Sequence, residues 1–175
     1  MTDAEPRPMP WWQIVTVGRN PKVTAIRLAV TVALVVFAWN FLCVPIRVTG
    51  SSMLPTYVDG QRRFLNRLAY RFAEPRRGEV VAIKTSGLHN LYLKRIIALP
   101  GESVRIVRGT VEIDGGPLAE PYVPKRLPWN WPTDRPEWKL GAAEYLFIGD
   151  NRTMLMRDHE FGVQKRERIA GKVWQ

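Results

Sequence analysis

The chain changes its hydrophobic pattern once, near residue 47. Before that point, Leu28 to Ile46 reads LAVTVALVVFAWNFLCVPI, 19 residues without a charge. The run is apolar on every side, so it lacks the single stripe of a helix packed on a soluble core. As a helix it measures about 28 Å, close to the ~30 Å hydrocarbon core of a bilayer. A removable leader carries an apolar stretch of only ~7–15 residues before a small-residue cleavage site, and Val44-Pro45-Ile46 is a poor site of that kind. The pattern therefore predicts a retained transmembrane anchor over residues 28–46, after an N-terminal segment, residues 1–27.

After Arg47 the pattern becomes short β-type runs separated by turns. Strands are expected at Glu79–Lys84, Leu91–Ile97, Ser103–Arg108, Thr110–Ile113 and Tyr145–Ile148. Pro100-Gly101, Asp114-Gly115-Gly116 and Gly149-Asp150-Asn151 supply turn chemistry. Gln61–Phe72 is the one later stretch with helical spacing. The expectation is a mainly β, antiparallel domain over residues 47–175, preceded by one transmembrane helix.

Composition narrows the functional classes. The chain has 175 residues, enough for one such domain and an anchor, and its 14 prolines and 13 glycines suit a loop-rich β fold. The net charge of +10 raises nucleic acid as a partner. No basic stripe interleaved with aromatics is present, so a lipid bilayer is the better partner and nucleic acid is not expected. Arg7, Arg19, Lys22 and Arg27 precede the anchor against Asp3 and Glu5. That excess predicts a cytoplasmic N-terminus in the inner or plasma membrane and an extracytoplasmic (periplasmic-side) domain. Cys43 is the one cysteine, which excludes an internal disulfide, and His89 and His159 lack metal-ligand spacing. No cofactor or metal is expected. Residues 124–138 form a proline-rich loop with Trp129, Trp131 and Trp138; such rings suit either the membrane interface or their own domain.

For chemistry, the stretch Gly50-Ser51-Ser52-Met53-Leu54-Pro55-Thr56 follows the anchor almost at once. A serine hydroxyl attacks a carbonyl only when a base takes its proton. No histidine lies near a partner motif, which leaves little support for a Ser-His-Asp arrangement. A lysine serves when burial favours its neutral amine. Lys94 suits this role, because in a strand it shares a face with Tyr92 and Ile96.

The order GSSMLPT, RRGEVVAIK, YLKRIIALPGESV and GDNR, at residues 50–56, 76–84, 92–104 and 149–152, resembles the type I signal peptidase (leader peptidase) family of Ser/Lys-dyad serine proteases. The resemblance implies a membrane-bound serine endopeptidase that removes signal peptides from exported preproteins after small residues, through an acyl-enzyme. It implies Ser52 as nucleophile and Lys94 as general base. It also implies the Ser52 backbone N–H as an oxyanion donor, and an Arg95–Asp150 pair bracing the Lys94 strand. Where many members have a serine as second oxyanion donor, this chain has Gly50. Where the family carries a lysine-orienting serine after GDNR, this chain has Leu155, and the following triplet is Arg157-Asp158-His159. The usual acidic residue near Gly60 is Gln61. Thr153, two residues before Leu155, is the candidate replacement for the lysine-orienting hydroxyl. Two alternatives remain: a catalytically impaired, membrane-anchored binding protein of the same fold, and a specialised peptidase that matures one secretion or conjugation substrate.

Overall fold

The computed structural model describes residues 20–42, 44–84, 91–124, 137–155 and 162–174. The chain forms two compact units, residues 1–40 and 41–175. Cys43, His89, Trp129, Trp131 and the Arg157-Asp158-His159 triplet lie outside the described residues.

In the first unit, helix α1 runs over Pro21–Phe41, and no residue in it is buried. It starts where Asn20 caps it: the Asn20 side chain accepts from Lys22 N–H at 3.2 Å, and the Asn20 carbonyl from Thr24 N–H at 3.1 Å. Pro21 occupies the first helical position, where its missing N–H costs nothing. The 21 residues span about 31 Å, so α1 is long and apolar enough to cross a membrane. The uncharged run extends further than the helix, to Ile46. Pro45 cannot donate to a helical carbonyl, and it disfavours helical geometry at Val44. Val44–Arg47 accordingly forms strand β1.

The second unit is antiparallel β. Strands β2 (Arg62–Asn66), β3 (Val80–Lys84), β4 (Leu91–Ala98), β9 (Glu144–Ile148), β10 (Val163–Lys165) and β11 (Ile169–Val173) join β1 in a seven-stranded sheet. Its order is β1-β2-β11-β3-β4-β9-β10. Strands β5 (Ser103–Val107), β6 (Thr110–Ile113), β7 (Gly116–Pro117) and β8 (Trp138–Lys139) form a second sheet in the order β7-β6-β5-β8. All five strands read from the sequence are present, with ends shifted by a residue at most. The two hairpin turns of the second sheet follow local chemistry. Arg108-Gly109 and Asp114-Gly115 all have positive φ, and each two-residue loop closes a strand pair, the type I′ geometry that suits twisted strands.

The stretch Gln61–Phe72 is not helical. It forms β2 and then turns, because pairing on both sides outweighs its local spacing: Leu65 faces Val44 of β1 and Val173 of β11 and is fully buried. The Asn66 side chain then accepts from Leu68 N–H at 2.9 Å and ends the strand. Across the sheet, Gly171 allows the approach, since a Cβ there would collide with the Asn66 carbonyl.

Strands β3 and β4 are buried on both faces, so they read as continuous apolar runs rather than alternating ones. Val80, Ala82 and Leu93 pack with Val48, Met53 and Tyr57 on one face. Val81, Ile83 and Ile96 pack with Tyr145 and Phe147 on the other. A third cluster joins Ile97, Leu146 and Ile148 to Val104, Ile106 and Val111 of the second sheet. Trp138 packs against that cluster, so this ring belongs to the core of its own domain.

Candidate active site

Ser52 lies in a turn between β1 and β2. Gly50 enters it with φ +88°, a conformation that a side chain would strain, and its N–H donates to Asp59 Oδ1 at 2.8 Å. Leu54 N–H donates to the Ser51 carbonyl at 3.2 Å and Tyr57 N–H to the Met53 carbonyl at 2.9 Å. Leu54–Pro55 is a cis peptide. Met53 and Tyr57 are 1% exposed and root the turn in the core. These bonds use the N–H groups of Gly50, Leu54 and Tyr57, and Ser52 itself lines a trough. The trough runs between Ile46–Gly50 and Ser52–Met53 on one side and Leu91–Leu93 of β4 on the other.

Lys94 follows the trough-lining residues directly on β4, opposite Val81 of β3, and is 2% exposed. Its sequence neighbour Arg95 is paired with Ile148 of β9 and points to the other face. There Arg95 makes a two-pronged contact with Asp150, Nε to Oδ1 at 2.8 Å and Nη2 to Oδ2 at 2.6 Å, and donates to the Gly78 carbonyl at 2.6 Å. Both side chains are essentially dry, at 5% and 0% exposure. Burial works against the guanidinium charge, but hydrogen bonds and attraction to Asp150 prevail and raise its pKa. Thr56, at the far end of the Ser52 turn, donates its hydroxyl to Asp150 Oδ2.

The Gly149–Arg152 loop carries further groups. Asn151 N–H donates to the Ser52 carbonyl at 3.0 Å, and its side-chain Nδ2 donates to the Ser51 carbonyl at 3.0 Å. Thr153 donates to Asn151 Oδ1 twice, from its hydroxyl at 2.6 Å and its N–H at 3.2 Å. Arg152 is 1% exposed, donates to the Gly149 carbonyl at 2.9 Å and forks onto Glu120 at 2.5 and 3.0 Å. Tyr122 hydrogen-bonds Glu120 Oε1 at 2.9 Å and lies under the Arg95 guanidinium, 3.9 Å from ring centroid to carbon. Burial and the Glu120 carboxylate raise the Tyr122 phenol well above its ordinary value, which keeps it a neutral donor. Leu155 is 40% exposed at the end of this loop.

Ser52 thus lines a trough, the GDNR loop grips its turn, and Lys94 is dry on the strand whose preceding residues line the same trough. The family model for signal peptidase, peptidase S26, matches residues 22–174. The chain belongs to the signal peptidase family. Among its relatives, signal peptidase I of Bacillus amyloliquefaciens is 37% identical over 82% of this chain and 78% of its own. Signal peptidase I T of Bacillus subtilis is 37% identical over 84% and 79%. A solved signal peptidase I from Enterococcus faecalis superposes with a TM-score of 0.43 at 24% identity, over 57% of this chain and 97% of that one.

As a signal peptidase with an apolar helix of membrane-spanning length, the chain is a membrane-bound serine endopeptidase. Of the residues singled out in the sequence, the fold brings Arg95 and Asp150 into direct contact and sets Ser52 in a trough lined also by Leu91–Leu93, which precede Lys94 on β4. A carboxylate serves the turn at Asp59, two positions before Gln61. Sequence reasoning missed Asn151, Arg152, Thr56, Glu120 and Tyr122. Asn151 and Arg152 stand inside GDNR and were legible as a motif without roles. Glu120 and Tyr122 follow a two-residue strand in a turn-rich stretch, where no periodicity marks a buried partner.

Proposed function

We propose that Ser52 is the nucleophile and Lys94 the general base with which this signal peptidase removes N-terminal signal peptides from exported preproteins. The observation that carries this reading is the 2% exposure of Lys94 on the strand whose preceding residues, with Ser52, line one trough. An amine held out of water favours its neutral, proton-accepting form. In the proposed cycle, Ser52 Oγ bonds to the scissile carbonyl carbon while its proton passes to Lys94 Nζ. The Ser52 N–H receives the developing oxyanion. Collapse of the tetrahedral species breaks the C–N bond, and Lys94 returns the proton to the departing amine of the mature protein. Water, giving a proton to Lys94, then bonds to the acyl carbon; the bond to Ser52 Oγ breaks, Oγ takes that proton back from Lys94, and the signal peptide leaves with a free carboxyl group. Small substrate side chains before the cut suit an extended segment laid along Leu91–Leu93.

The Thr153 hydroxyl orients the Lys94 amine in this reading. Its hydrogen is given to Asn151, and a hydroxyl keeps two lone pairs for an incoming N–H. The excess of Arg7, Arg19, Lys22 and Arg27 over Asp3 and Glu5 before residue 28 supports a cytoplasmic N-terminus and a catalytic domain on the extracytoplasmic face. Purified full-length protein in detergent should cut a preprotein once, at its small-residue site, while Ser52→Ala and Lys94→Met leave it intact. Binding of the preprotein without any cut by the parent protein would replace this reading with that of a non-catalytic binding protein.

A further inference from the structure

A serine hydrolase needs its oxyanion donor aimed before the substrate arrives, because a donor that reorients during the reaction gives up much of its benefit. On the reading that Ser52 is the nucleophile, that donor is the Ser52 N–H. A peptide unit is planar, so the Ser52 N–H and the Ser51 carbonyl point in opposite directions from one rigid plane. Whatever holds the Ser51 carbonyl therefore aims the Ser52 N–H. Two donors hold it: Leu54 N–H at 3.2 Å from within the turn and Asn151 Nδ2 at 3.0 Å from the neighbouring loop. The next peptide plane, that of the Ser52 carbonyl, is held by Asn151 N–H at 3.0 Å.

We propose that Asn151 is a positioning residue that clamps both peptide planes flanking Ser52 and so presets the oxyanion hole. The clamp compensates for Gly50, which offers no side-chain donor and whose N–H is committed to Asp59. With a single backbone donor in the proposed hole, the orientation of that donor carries more of the rate. Thr153 fixes the sense of the clamp. Its hydroxyl and N–H both donate to Asn151 Oδ1, which leaves the Asn151 amide one orientation, with Nδ2 toward Ser51. Asn151 is 9% exposed and its loop is anchored by the dry Arg152–Glu120 and Arg95–Asp150 pairs, so the clamp sits on a rigid base.

The test compares Asn151→Ala, which removes the side-chain donor, with Asn151→Asp, which places an acceptor against the Ser51 carbonyl. Both keep the backbone bond to Ser52. Preprotein cleavage is followed together with binding of a peptide aldehyde, whose carbonyl adds the Ser52 hydroxyl to give a tetrahedral adduct, and binding of an uncleavable signal-peptide analogue. The expected result is a kcat lower by roughly 100-fold, the scale of one oxyanion-hole donor. KM and analogue affinity should stay within about twofold, with aldehyde affinity falling in step with kcat/KM. If Asn151→Asp does not fold, Asn151→Ala decides alone. Parental kcat and aldehyde affinity in a folded variant would overturn the clamp, as would equal weakening of analogue and aldehyde, which marks general loss of the trough. Ser52→Ala is run alongside. Cleavage surviving there overturns the nucleophile assignment and the clamp with it, whereas cleavage lost there but intact in Asn151→Ala overturns the clamp alone.

Discussion

A lysine that takes a proton from serine needs a fixed rotamer as well as a neutral amine. The residue proposed to fix it is Thr153, half-buried in the loop after β9. Thr153→Val removes the hydroxyl and should slow cleavage by ten- to a hundred-fold, equivalent to about 1.4–2.7 kcal/mol, while Thr153→Ser stays near the parent. Because Thr153 also orients Asn151, rate alone does not separate its two tasks. The acid limb of kcat/KM against pH does, since it reports loss of a proton from the free enzyme's base. Thr153→Val should move that limb and Asn151→Ala should leave it in place. An unmoved limb in the valine variant would confine Thr153 to the Asn151 amide. Lys94→Arg should be inactive at every accessible pH, because a guanidinium does not give up its proton.

Among the elements, β3 and β4 do most to hold the site, and both were readable. Their apolar runs lie between turn signals and are buried on two faces, which makes the pattern continuous and strong. Strands β1, β2, β7, β8, β10 and β11 were not legible. β1 is concealed by the end of the uncharged run, β10 is only three residues long, and β2 carries helix-like spacing that β-pairing overrides. The join between β11 and β3 has a pH signature. Glu79 is held below its ordinary 4.5: burial opposes this, but hydrogen bonds from Lys172, the Arg76 N–H and Tyr70 prevail. A depressed carboxyl contributes stability that is complete above about pH 4.5 and is lost as pH falls through the lower native value. The melting temperature of the parent should therefore drop more steeply than that of Glu79→Gln on acidification below that point. Parallel curves in the two proteins would show that this carboxylate is not linked to folding.

At the scale of the whole molecule, the chain order of anchor, serine turn, lysine strand and GDNR loop made the proposed catalytic pair legible before any coordinates. What the order could not convey is the wiring between these pieces, because hydrogen bonds to carbonyls at Gly78, Gly149, Ser51 and Ser52 depend on where backbones meet rather than on residue type. Side-chain identity predicts a charge; it does not predict which main-chain oxygen that charge will find. The proposed orientation has a direct check. Protease added outside intact spheroplasts should digest the domain after Arg47 and spare the N-terminal segment, and the reverse pattern of protection would invert the assigned sidedness.

The buried cluster behind the site contains two guanidinium groups, Arg95 and Arg152, and two carboxylates, Asp150 and Glu120. Its charges therefore cancel, which is the condition under which such a group tolerates a dry interior. Loss of any one member leaves an uncompensated buried charge, at a cost of about 3–5 kcal/mol, whereas exchange of a whole pair for apolar groups of similar volume is often close to neutral. Any single-step change at these four positions must thus cross a deep fitness valley that a paired change avoids. Drift at 95 is tied to drift at 150, and drift at 120 to drift at 152, so over long divergence each couple should be inherited or replaced as one unit.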